Sequence, residues 1–283
     1  MRLDVKKTYK LFIGGKFPRT ESGRSYEVLD HKGAHLANAA KASRKDVRDA
    51  VVAARASQAG WAGATAYNRG QILYRIAEML EGRTEQFVSE IVAQTGISAK
   101  KATEEVENAI DAWVWYAGWS DKIDQVAGGM NPVAGPFFNI STNQPTGLVA
   151  AFAPQDSALI GLVHAIAPAI VSGNSIVAVS SEKHPLGAIT LAEVLETSDL
   201  PGGVVNILTG NAGELGSWIA THADVNALDL EGSSNPVDLE MDAAQTLKRV
   251  IRPGSYNRTG SKGSIQHVLD LMELKTVWHP KGY

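Results

Sequence analysis

Residues 148–180 read LVAAFAPQDSALIGLVHAIAPAIVSGNSIVAVS and contain two short apolar runs joined by a longer apolar segment. The runs LVAAFAP (148–154) and SIVAVS (175–180) have the length and composition of buried strands, and the segment 157–171 has the length of a helix. A strand, a helix and a second strand in this order predict a parallel pair joined by a right-handed crossover. The stretch therefore predicts the centre of an α/β fold.

The same alternation continues towards the carboxyl terminus. A helix, a strand, a helix and a strand are predicted in that order, at 185–197, 204–208, 213–220 and 225–230. These elements predict a doubly wound α/β core with a crevice at the carboxyl ends of its strands. One more helix is predicted over 236–251, where Pro236 suits the first turn. We assign residues 148–254 to this Rossmann-type core.

The residues before the core predict short strands followed by long helices. The segments KLFIGGKF (10–17) and SYEVLD (25–30) are separated by glycine turns and predict edge strands or a hairpin. From Ser43 onward apolar residues recur at helical spacing, and a further helix is predicted to begin at Ser98. We assign residues 1–127 to the N-terminal strands and helices of the same Rossmann-type domain.

Composition excludes several functional classes. The net charge is −3 over 283 residues, and no long basic block is interleaved with aromatic residues, so a nucleic-acid surface is not expected. No apolar run approaches the roughly 20 residues that cross a bilayer, and the opening MRLDVKKTYK is too charged for a secretory signal, so no membrane contact is expected. The chain is expected to be cytoplasmic.

Cysteine is absent from the sequence, which removes disulfides, thiolate metal sites and a cysteine nucleophile. Of the histidines only His31 and His35 have a metal-like spacing, and without a third ligand no metal site is predicted. The glycines of GNAGELG (210–216) do not form the dinucleotide fingerprint, and no serine lies in a nucleophile elbow.

Several ordered segments resemble the NAD(P)-dependent aldehyde dehydrogenases. They are LFIGGKF (11–17), WYAGWSDKI (115–123), GPFFNISTNQPTGLVAAFAP (135–154), APAIVSGNSIV (167–177), LPGGVVNILTG with GELG (200–216), and SYNRTGSKGS followed by LKTVWH (255–264 and 274–279). The resemblance extends over residues 8–240, and the tail is similar to the extreme C-terminus of the family. A shortened member of the superfamily is therefore indicated.

The resemblance also indicates what the chain lacks. In the family a catalytic domain with a glutamate base and a cysteine nucleophile precedes the C-terminal tail, whereas here a short helix alone separates Asp238 from Ser255. A segment of roughly 200 residues, the size of an ordinary domain, is thus expected to be absent. The chain resembles the noncatalytic C-terminal module of long, two-module aldehyde dehydrogenases.

The fold class implied is α/β, with a doubly wound Rossmann-type domain plus a small β oligomerisation element and no catalytic domain. The family dimerises through a long hairpin and a C-terminal strand. By resemblance, residues 128–147 form the oligomerisation hairpin, and residues 255–283 form the C-terminal loop and oligomerisation strand. A lone strand such as LKTVWH (274–279) must pair with a sheet edge in this chain or in another one.

The family's site residues match this sequence only in part. Asp156 stands at the position of the asparagine that donates to the oxyanion, and a carboxylate there is unsuited to that role, so no catalytic residue is predicted. Glu182 matches the acidic residue of the cofactor loop, and Ser233 follows the glycine that faces the pyrophosphate; both are predicted as vestigial cofactor-binding residues. Val179 replaces a lysine and Glu231 adds a negative charge, so no cofactor is expected, although NAD is possible.

Two functions remain open at this point. The first is a noncatalytic subunit, or pseudoenzyme, that assembles with a catalytic aldehyde dehydrogenase or with itself through the hairpin and the C-terminal strand. The alternative is an NAD-binding oxidoreductase or nucleotide-responsive subunit of the same family. An oligomer is expected in either case.

Overall fold

The computed structural model describes residues 6–282, so residues 1–5 and Tyr283 of the predicted terminal segments lie outside the described residues. The strands are β1 (Thr8–Tyr9), β2 (Ser25–Leu29), β3 (His35–Ala40), β4 (Gly129–Asn131), β5 (Phe137–Pro145), β6 (Leu148–Phe152), β7 (Ser175–Val179), β8 (Val205–Leu208), β9 (Ala227–Asp229), β10 (Arg249–Ile251) and β11 (Met272–Pro280). The helices are α1 (Arg44–Gly63), α2 (Ala66–Glu81), α3 (Thr84–Thr95), α4 (Ala99–Trp119), α5 (Ile123–Ala127), α6 (Ile160–Val171), α7 (Leu186–Glu196), α8 (Ala212–Ala220), α9 (Pro236–Ala244) and α10 (Ile265–Asp270).

The central sheet contains five strands in the order β10-β9-β6-β7-β8, and every pair is parallel. Successive side chains of β6 enter opposite cores: Val149 and Ala151 pack with one cluster, and Ala150 and Phe152 pack with the other. Because a parallel sheet buries both faces, its strands are continuous apolar runs rather than alternating ones. The predicted doubly wound α/β fold is confirmed.

Helices cover both faces of this sheet. One layer contains α1, α8 and α9, whose buried apolar side chains belong to the smaller core cluster except for Trp61 of α1, and the other contains α2, α4, α6 and α7. Trp61 reaches the larger cluster, where it is buried and its indole N–H donates to the carbonyl of Ile170 over 2.8 Å. A buried indole with a satisfied N–H stabilises the packing of α1 against α6.

The N-terminal region differs in detail from the prediction. The segment 25–30 does form a strand, β2, which pairs antiparallel with β3, while β1 pairs parallel with β3. Segment 10–17 forms the hairpin alternative in its shortest form and not a regular strand: Ile13 bridges Lys16 antiparallel across a tight turn at Gly14 and Gly15, which both have positive φ angles.

The end of the core also corrects the prediction. The helix predicted over 236–251 ends at Ala244, and residues 249–251 form β10, which pairs with β9 and adds a fifth strand to the sheet. Leu247 has φ 53°, a left-handed conformation that no interior helical residue adopts. The chain turns there and returns to the sheet.

A separate three-stranded antiparallel sheet has the order β11-β5-β4. Strand β11 pairs with β5 of the same chain along its whole length, from Met272 opposite Pro145 to Pro280 opposite Phe137. The partner of the predicted C-terminal strand is therefore in this chain. One edge of β11 is used in this pairing, and the other has no partner strand among residues 6–282.

One carbonyl group joins the three-stranded sheet to the core. The backbone oxygen of Leu271 accepts hydrogen bonds from the N–H and the hydroxyl of Thr146, over 3.2 and 2.6 Å, and from Nδ2 of Asn174 over 2.9 Å. The Asn174 side chain is fully buried and also accepts from the N–H of Gly147 over 2.7 Å. These bonds fix the start of β11 against the corner between β5 and β6.

No helix between residues 6 and 282 has the length and apolarity required to cross a bilayer.

Candidate functional site

The crevice lies where the strand order of the central sheet reverses. Strands β7 and β8 lie on one side of β6, and β9 and β10 lie on the other, so the loops that follow β6 and β9 leave the sheet next to each other. Crevices of this kind are the ligand sites of doubly wound sheets. The two loops touch at Gly232, whose N–H donates to the carbonyl of Phe152 over 2.8 Å.

Gly232 allows the closest approach in the crevice. A Cβ atom at this position would lie 1.8 Å from the carbonyl oxygen of Ala153 and 2.9 Å from that of Phe152. Only glycine fits such a contact between two backbones. Because Gly232 has no Cβ atom, the loop after β9 can lie directly against the end of β6.

Asp156 lies in the loop after β6, with its side chain exposed. It lines a pocket of about 600 Å³, together with Glu104, Glu105 and Glu231 among the acidic residues and with Lys101 and Arg258 among the basic ones. Within residues 6–282 the Asp156 carboxylate has no hydrogen bond or ion pair. The pocket thus presents a free carboxylate at the mouth of the crevice.

A second carboxylate occupies the N-terminus of α6. Oε1 of Glu105, on α4, accepts from the N–H groups of Leu159 and Ile160 over 3.0 and 3.2 Å and from the Ser157 hydroxyl over 3.4 Å. These N–H groups are the free donors of a helix start, which otherwise attract an anion. The backbone donors nearest Asp156 are therefore already satisfied from within the chain.

A buried ion pair lies behind this pocket. Nη2 of Arg258 contacts both carboxylate oxygens of Asp229, at 2.8 and 2.7 Å, and Nε2 of His267 contacts the same carboxylate at 3.2 Å. Burial acts to raise the pKa of Asp229, but the charge of Arg258 and the hydrogen bond from His267 outweigh it and hold that pKa below its usual value. Asp229 is the last residue of β9, so this contact holds the loop 252–264 over the carboxyl edge of the sheet.

His164 also forms a hydrogen bond with the loop 252–264. Its Nε2 lies 2.7 Å from the carbonyl oxygen of Gly260, and its Nδ1 lies 3.3 Å from the Tyr116 hydroxyl. Because a carbonyl can only accept, Nε2 carries the proton and Nδ1 accepts from Tyr116. Burial lowers the pKa of His164 to about 4, so the imidazole is neutral at physiological pH.

A second pocket, also of about 600 Å³, lies between the carboxyl ends of β7 and β8 and the N-terminal sheet. Glu182 lines it and accepts from Nδ2 of Asn211 over 2.9 Å, while the Glu182 N–H donates to Oε1 of Gln155 over 2.9 Å. Gly232 and Ser234 form the facing wall. The structure thus brings the predicted Glu182 and the loop of the predicted Ser233 to one pocket.

The chemistry of this pocket fits only part of a dinucleotide. The Glu182 carboxylate suits the hydroxyl groups of a ribose. The lining carboxylates Glu27, Asp30 and Glu182 outnumber the single lysine, Lys183, which is unfavourable for a pyrophosphate.

The helix that follows the loop, α9, is not capped by a side chain. It begins at Pro236, which lacks an N–H, and its cap residue Asn235 makes no side-chain hydrogen bond, so the N–H groups of the first turn after Pro236 have no side-chain acceptor from the cap. Ser233 itself accepts from the N–H of Asn235 over 3.2 Å. The lining carboxylates therefore disfavour the pyrophosphate of NAD, whereas Glu182 suits a ribose hydroxyl.

No metal centre is assembled by the described part of the chain, which contains no group of three or more His, Cys, Asp or Glu side chains in a ligating arrangement. His31 contacts the carbonyl of Ala93 at 3.4 Å, and His35 contacts the side chain of Asn38 at 3.3 Å. The two histidines serve separate local contacts.

The fold and crevice define a Rossmann-type α/β protein with an added three-stranded sheet. Residues 18–253 match the aldehyde dehydrogenase family, and the chain belongs to that family. The resemblance recognised in the sequence is confirmed.

The relatives of the chain are larger proteins. It is 31% identical over 246 residues to omega-crystallin of Enteroctopus dofleini, covering 85% of this chain and 49% of that protein. It is 32% identical over 248 residues to aldehyde dehydrogenase, cytosolic 1, of Elephantulus edwardii, again covering 85% of this chain and 49% of that protein. The chain spans about half the length of the curated relatives it matches.

Solved structures show the same relation. HpcC from Thermus thermophilus superimposes with a TM-score of 0.81 at 28% identity, covering 86% of this chain and 47% of that one. The NAD⁺ complex of aldehyde dehydrogenase from Bacillus cereus superimposes with a TM-score of 0.80 at 24% identity, covering 86% of this chain and 50% of that one. The fold is that of one half of an aldehyde dehydrogenase.

Proposed function

We propose that the chain is a noncatalytic aldehyde dehydrogenase-like subunit that assembles with a catalytic aldehyde dehydrogenase and supports it. The observation that carries the proposal is the unpartnered carboxylate of Asp156 at the mouth of a crevice for which the sequence supplies no cysteine. Attack of a thiolate on an aldehyde creates an oxyanion, and a carboxylate beside it would repel that charge. Loss of one oxyanion donor alone costs about 3 kcal/mol in such reactions.

Buried contacts also fix a loop at the crevice. The ion pair between Arg258 and Asp229 and the hydrogen bond between His164 and Gly260 hold the loop 252–264 across the edge where a reacting group would enter. Buried charged contacts of this kind position a segment rather than turn over a substrate. This arrangement supports a scaffold role for the core.

The three-stranded sheet supplies a surface for assembly. Met130, Ile140 and Val277 stand opposite one another on β4, β5 and β11, and all three side chains are exposed. An apolar row on a small sheet is typical of a surface that another protein covers. The unpaired edges of β4 and β11 in the described structure can receive a partner strand by β-augmentation.

The test is co-expression with a full-length, cysteine-containing aldehyde dehydrogenase of the same organism, followed by sedimentation velocity. We expect a complex of fixed stoichiometry that Val277→Glu weakens. The matched control is Val52→Glu, because Val52 is another exposed valine but lies on α1. Steady reduction of NAD⁺ by the purified chain alone with an aldehyde would refute the noncatalytic role, and a persistent monomer in the mixture would refute assembly.

One observation favours a second candidate, a nucleotide-responsive subunit of the same family. The Glu182 pocket contains two buried polar atoms without partners, the Tyr26 hydroxyl and Nδ1 of His184, and both can bind the polar groups of a nucleoside. Under this alternative NAD⁺ stabilises the chain against heat with a saturable, micromolar dependence. A flat thermal titration to about 100 times that range eliminates it.

A further inference from the structure

A groove between the start of α1 and the end of α8 is distinct from both the crevice and the three-stranded sheet. This α1–α8 groove has a volume of about 590 Å³ and is lined by Arg44, Lys45, Val47, Arg48, Trp218, Thr221 and His222. Three of these side chains are basic and none is a carboxylate, so the groove is cationic. Its volume is in the range of small-molecule sites.

Trp218 contributes a flat aromatic surface to the α1–α8 groove. It is half-buried and packs against the smaller core cluster, to which the buried Val47 of the groove also belongs. Because the core holds the indole in place, its accessible face is a rigid platform on which a planar ring can stack. The α8 side of the groove therefore suits an aromatic or heteroaromatic ring.

The α1 side of the groove supplies two arginines. Arg44 and Arg48 are four residues apart, which places them on one face of α1. Arg44 has no hydrogen bond or ion pair among residues 6–282. Arg48 contacts only the neighbouring Asp49, at 2.9 and 2.8 Å from Nε and Nη2, which leaves Nη1 without an acceptor in the described part of the chain. Arginine donors of this kind match the oxygens of a phosphate group.

The position of these cations is unfavourable for the helix itself. Arg44 and Lys45 are the first two residues of α1, where the free N–H groups already create a partial positive charge. Asp46, the acidic residue of that turn, is buried and accepts from the Thr20 hydroxyl over 2.6 Å and from the Ser43 N–H over 2.7 Å. An anion in the groove would turn this repulsion into attraction.

His222 adds a further donor just beyond α8. Its Nδ1 accepts from the N–H of Asp224 over 3.2 Å, so Nε2 carries a ring proton. An N–H group at this position can donate to a ligand in the groove. Both sides of the groove therefore offer donors to an anionic oxygen.

We infer that the α1–α8 groove binds a small molecule that combines an aromatic ring with one anionic group, of the class of the nucleoside monophosphates. The base stacks on Trp218, and the phosphate oxygens accept from Arg44, Arg48 and His222. Stacking and charge pairing come from two different helices, so a ligand must carry both groups to use the whole groove.

The charges next to the groove favour one phosphate group over a polyanion. Lys45 is paired with Glu21, and Arg24 and Lys41 both contact Glu214 at 3.0 Å. Nucleic acids are bound through many uncompensated cations, whereas these neighbouring cations are compensated and the net charge of the chain is −3. A free mononucleotide therefore fits better than a nucleic-acid strand.

The groove is also separate from the Glu182 pocket. That pocket is lined by residues 211–213 at the N-terminal end of α8, whereas Trp218 and His222 lie at the other end of the same helix. The inference goes beyond the proposed function and does not depend on assembly with another protein.

Calorimetric titration of the full chain with AMP, adenosine and inorganic phosphate at low ionic strength tests the inference. We expect one AMP per chain, bound at least about tenfold more tightly than adenosine or phosphate, because only AMP supplies both the ring and the charge. The affinity should fall with added salt. Equal affinities for AMP and adenosine, equal affinities for AMP and phosphate, or no binding of AMP at about 1 mM would each overturn the inference.

Substitutions locate the bound nucleotide. Arg44→Gln combined with Arg48→Gln should weaken AMP binding by at least about tenfold, since charged hydrogen bonds are lost. Arg252→Gln is the matched control: Arg252 is 74% exposed and lies outside the groove, so the affinity should not change. Trp218→Leu keeps an apolar contact with the core and should also weaken binding about tenfold.

Thermal unfolding of each variant distinguishes a lost contact from misfolding. If Trp218→Leu is destabilised, the double arginine variant decides, because its side chains lie at the surface. Wild-type affinity in the double arginine variant would overturn the inference. Binding that persists there but is lost in Glu182→Gln would place the nucleotide in the Glu182 pocket and would overturn it as well.

Discussion

Nη2 of Arg258 lies 2.8 and 2.7 Å from the two carboxylate oxygens of Asp229, and both side chains are almost completely buried. The arginine belongs to the loop after β10 and the aspartate ends β9, so the pair ties the C-terminal part of the chain to the edge of the central sheet. Nε of Arg258 approaches Glu231 only to 3.5 Å, so Asp229 is the main ionic partner of Arg258.

Replacing Asp229 by alanine should lower the free energy of unfolding by about 3 to 5 kcal/mol, because the substitution leaves the guanidinium of Arg258 buried without its counter-charge. Urea-induced unfolding measures this loss. Glu240→Ala is the control: it breaks the exposed pair with Arg252, which solvent screens, and should cost far less stability. Similar losses in both variants would contradict the role assigned to burial.

Stability should decrease as the pH falls from 6.5 to about 4. In this window the unfolded chain binds a proton at His164, whereas the folded chain, in which burial lowers the pKa of His164 from 6.5 to about 4, does not. The free energy of unfolding therefore falls with pH, by about 3 kcal/mol in all. The contribution of Asp229 is lost at still lower pH, because its pKa is depressed below 3.8.

The difference between the wild type and His164→Gln isolates this effect. Burial raises the pKa of Glu90, so Glu90 acts in the opposite direction, but equally in both proteins. Chemical unfolding at several pH values should show that the free energy of unfolding depends less steeply on pH in the variant than in the wild type. Parallel profiles would mean that His164 does not remain neutral in the fold.

Gly232→Ala should destabilise the core by about 2 kcal/mol or more, because its methyl group would lie 1.8 Å from the Ala153 carbonyl oxygen and force the two loops apart. Gly60→Ala is the matched substitution: Gly60 is helical and its added methyl meets nothing within 4 Å, so a gain of about 0.5 to 1 kcal/mol is expected. Thermal unfolding of the two variants measures the expected loss of stability in Gly232→Ala and the expected gain in Gly60→Ala. A neutral Gly232→Ala would show that the loops can separate freely.

Removal of residues 274–283 should leave the Rossmann-type core folded. Every side chain of β11 after Met272 is exposed, so the deletion removes little apolar surface from the interior. Calorimetry should show a transition shifted by only a few degrees, while sedimentation velocity should show the loss of assembly through the sheet. A core that unfolds on deletion would contradict the separation of the two sheets.

The parts of the fold that were predictable from the sequence are those in which burial extends along a continuous element. LVAAF and SIVAV are buried on both faces, so their apolar runs predict strands without ambiguity. Strand β10 was missed because it contains only Arg249–Ile251, too short for a periodic signal, and directly follows a helical pattern. The turn at Leu247 that separates the two has no glycine or proline to mark it.

The site was less predictable because its contacts connect distant segments. Resemblance placed Asp156 and Glu182 at the carboxyl ends of strands, where both are found. Nothing in the sequence indicated that Arg258 would contact Asp229, since a buried pair between a loop and a strand has no periodic pattern. The cap that Glu105 provides to α6 was missed for the same reason: the glutamate looks like one of several solvated acidic residues on α4.

The junction of the two sheets rests on an oxygen that every amino acid possesses. The Leu271 side chain is fully buried in the larger core cluster, which holds this oxygen in place, while Thr146 and Asn174 contribute the specific donors that bind it. Homologues that keep this junction should therefore retain Thr146 and Asn174. A three-stranded sheet fixed to the core in this way presents the free edge of β11 to a neighbouring molecule in one orientation only.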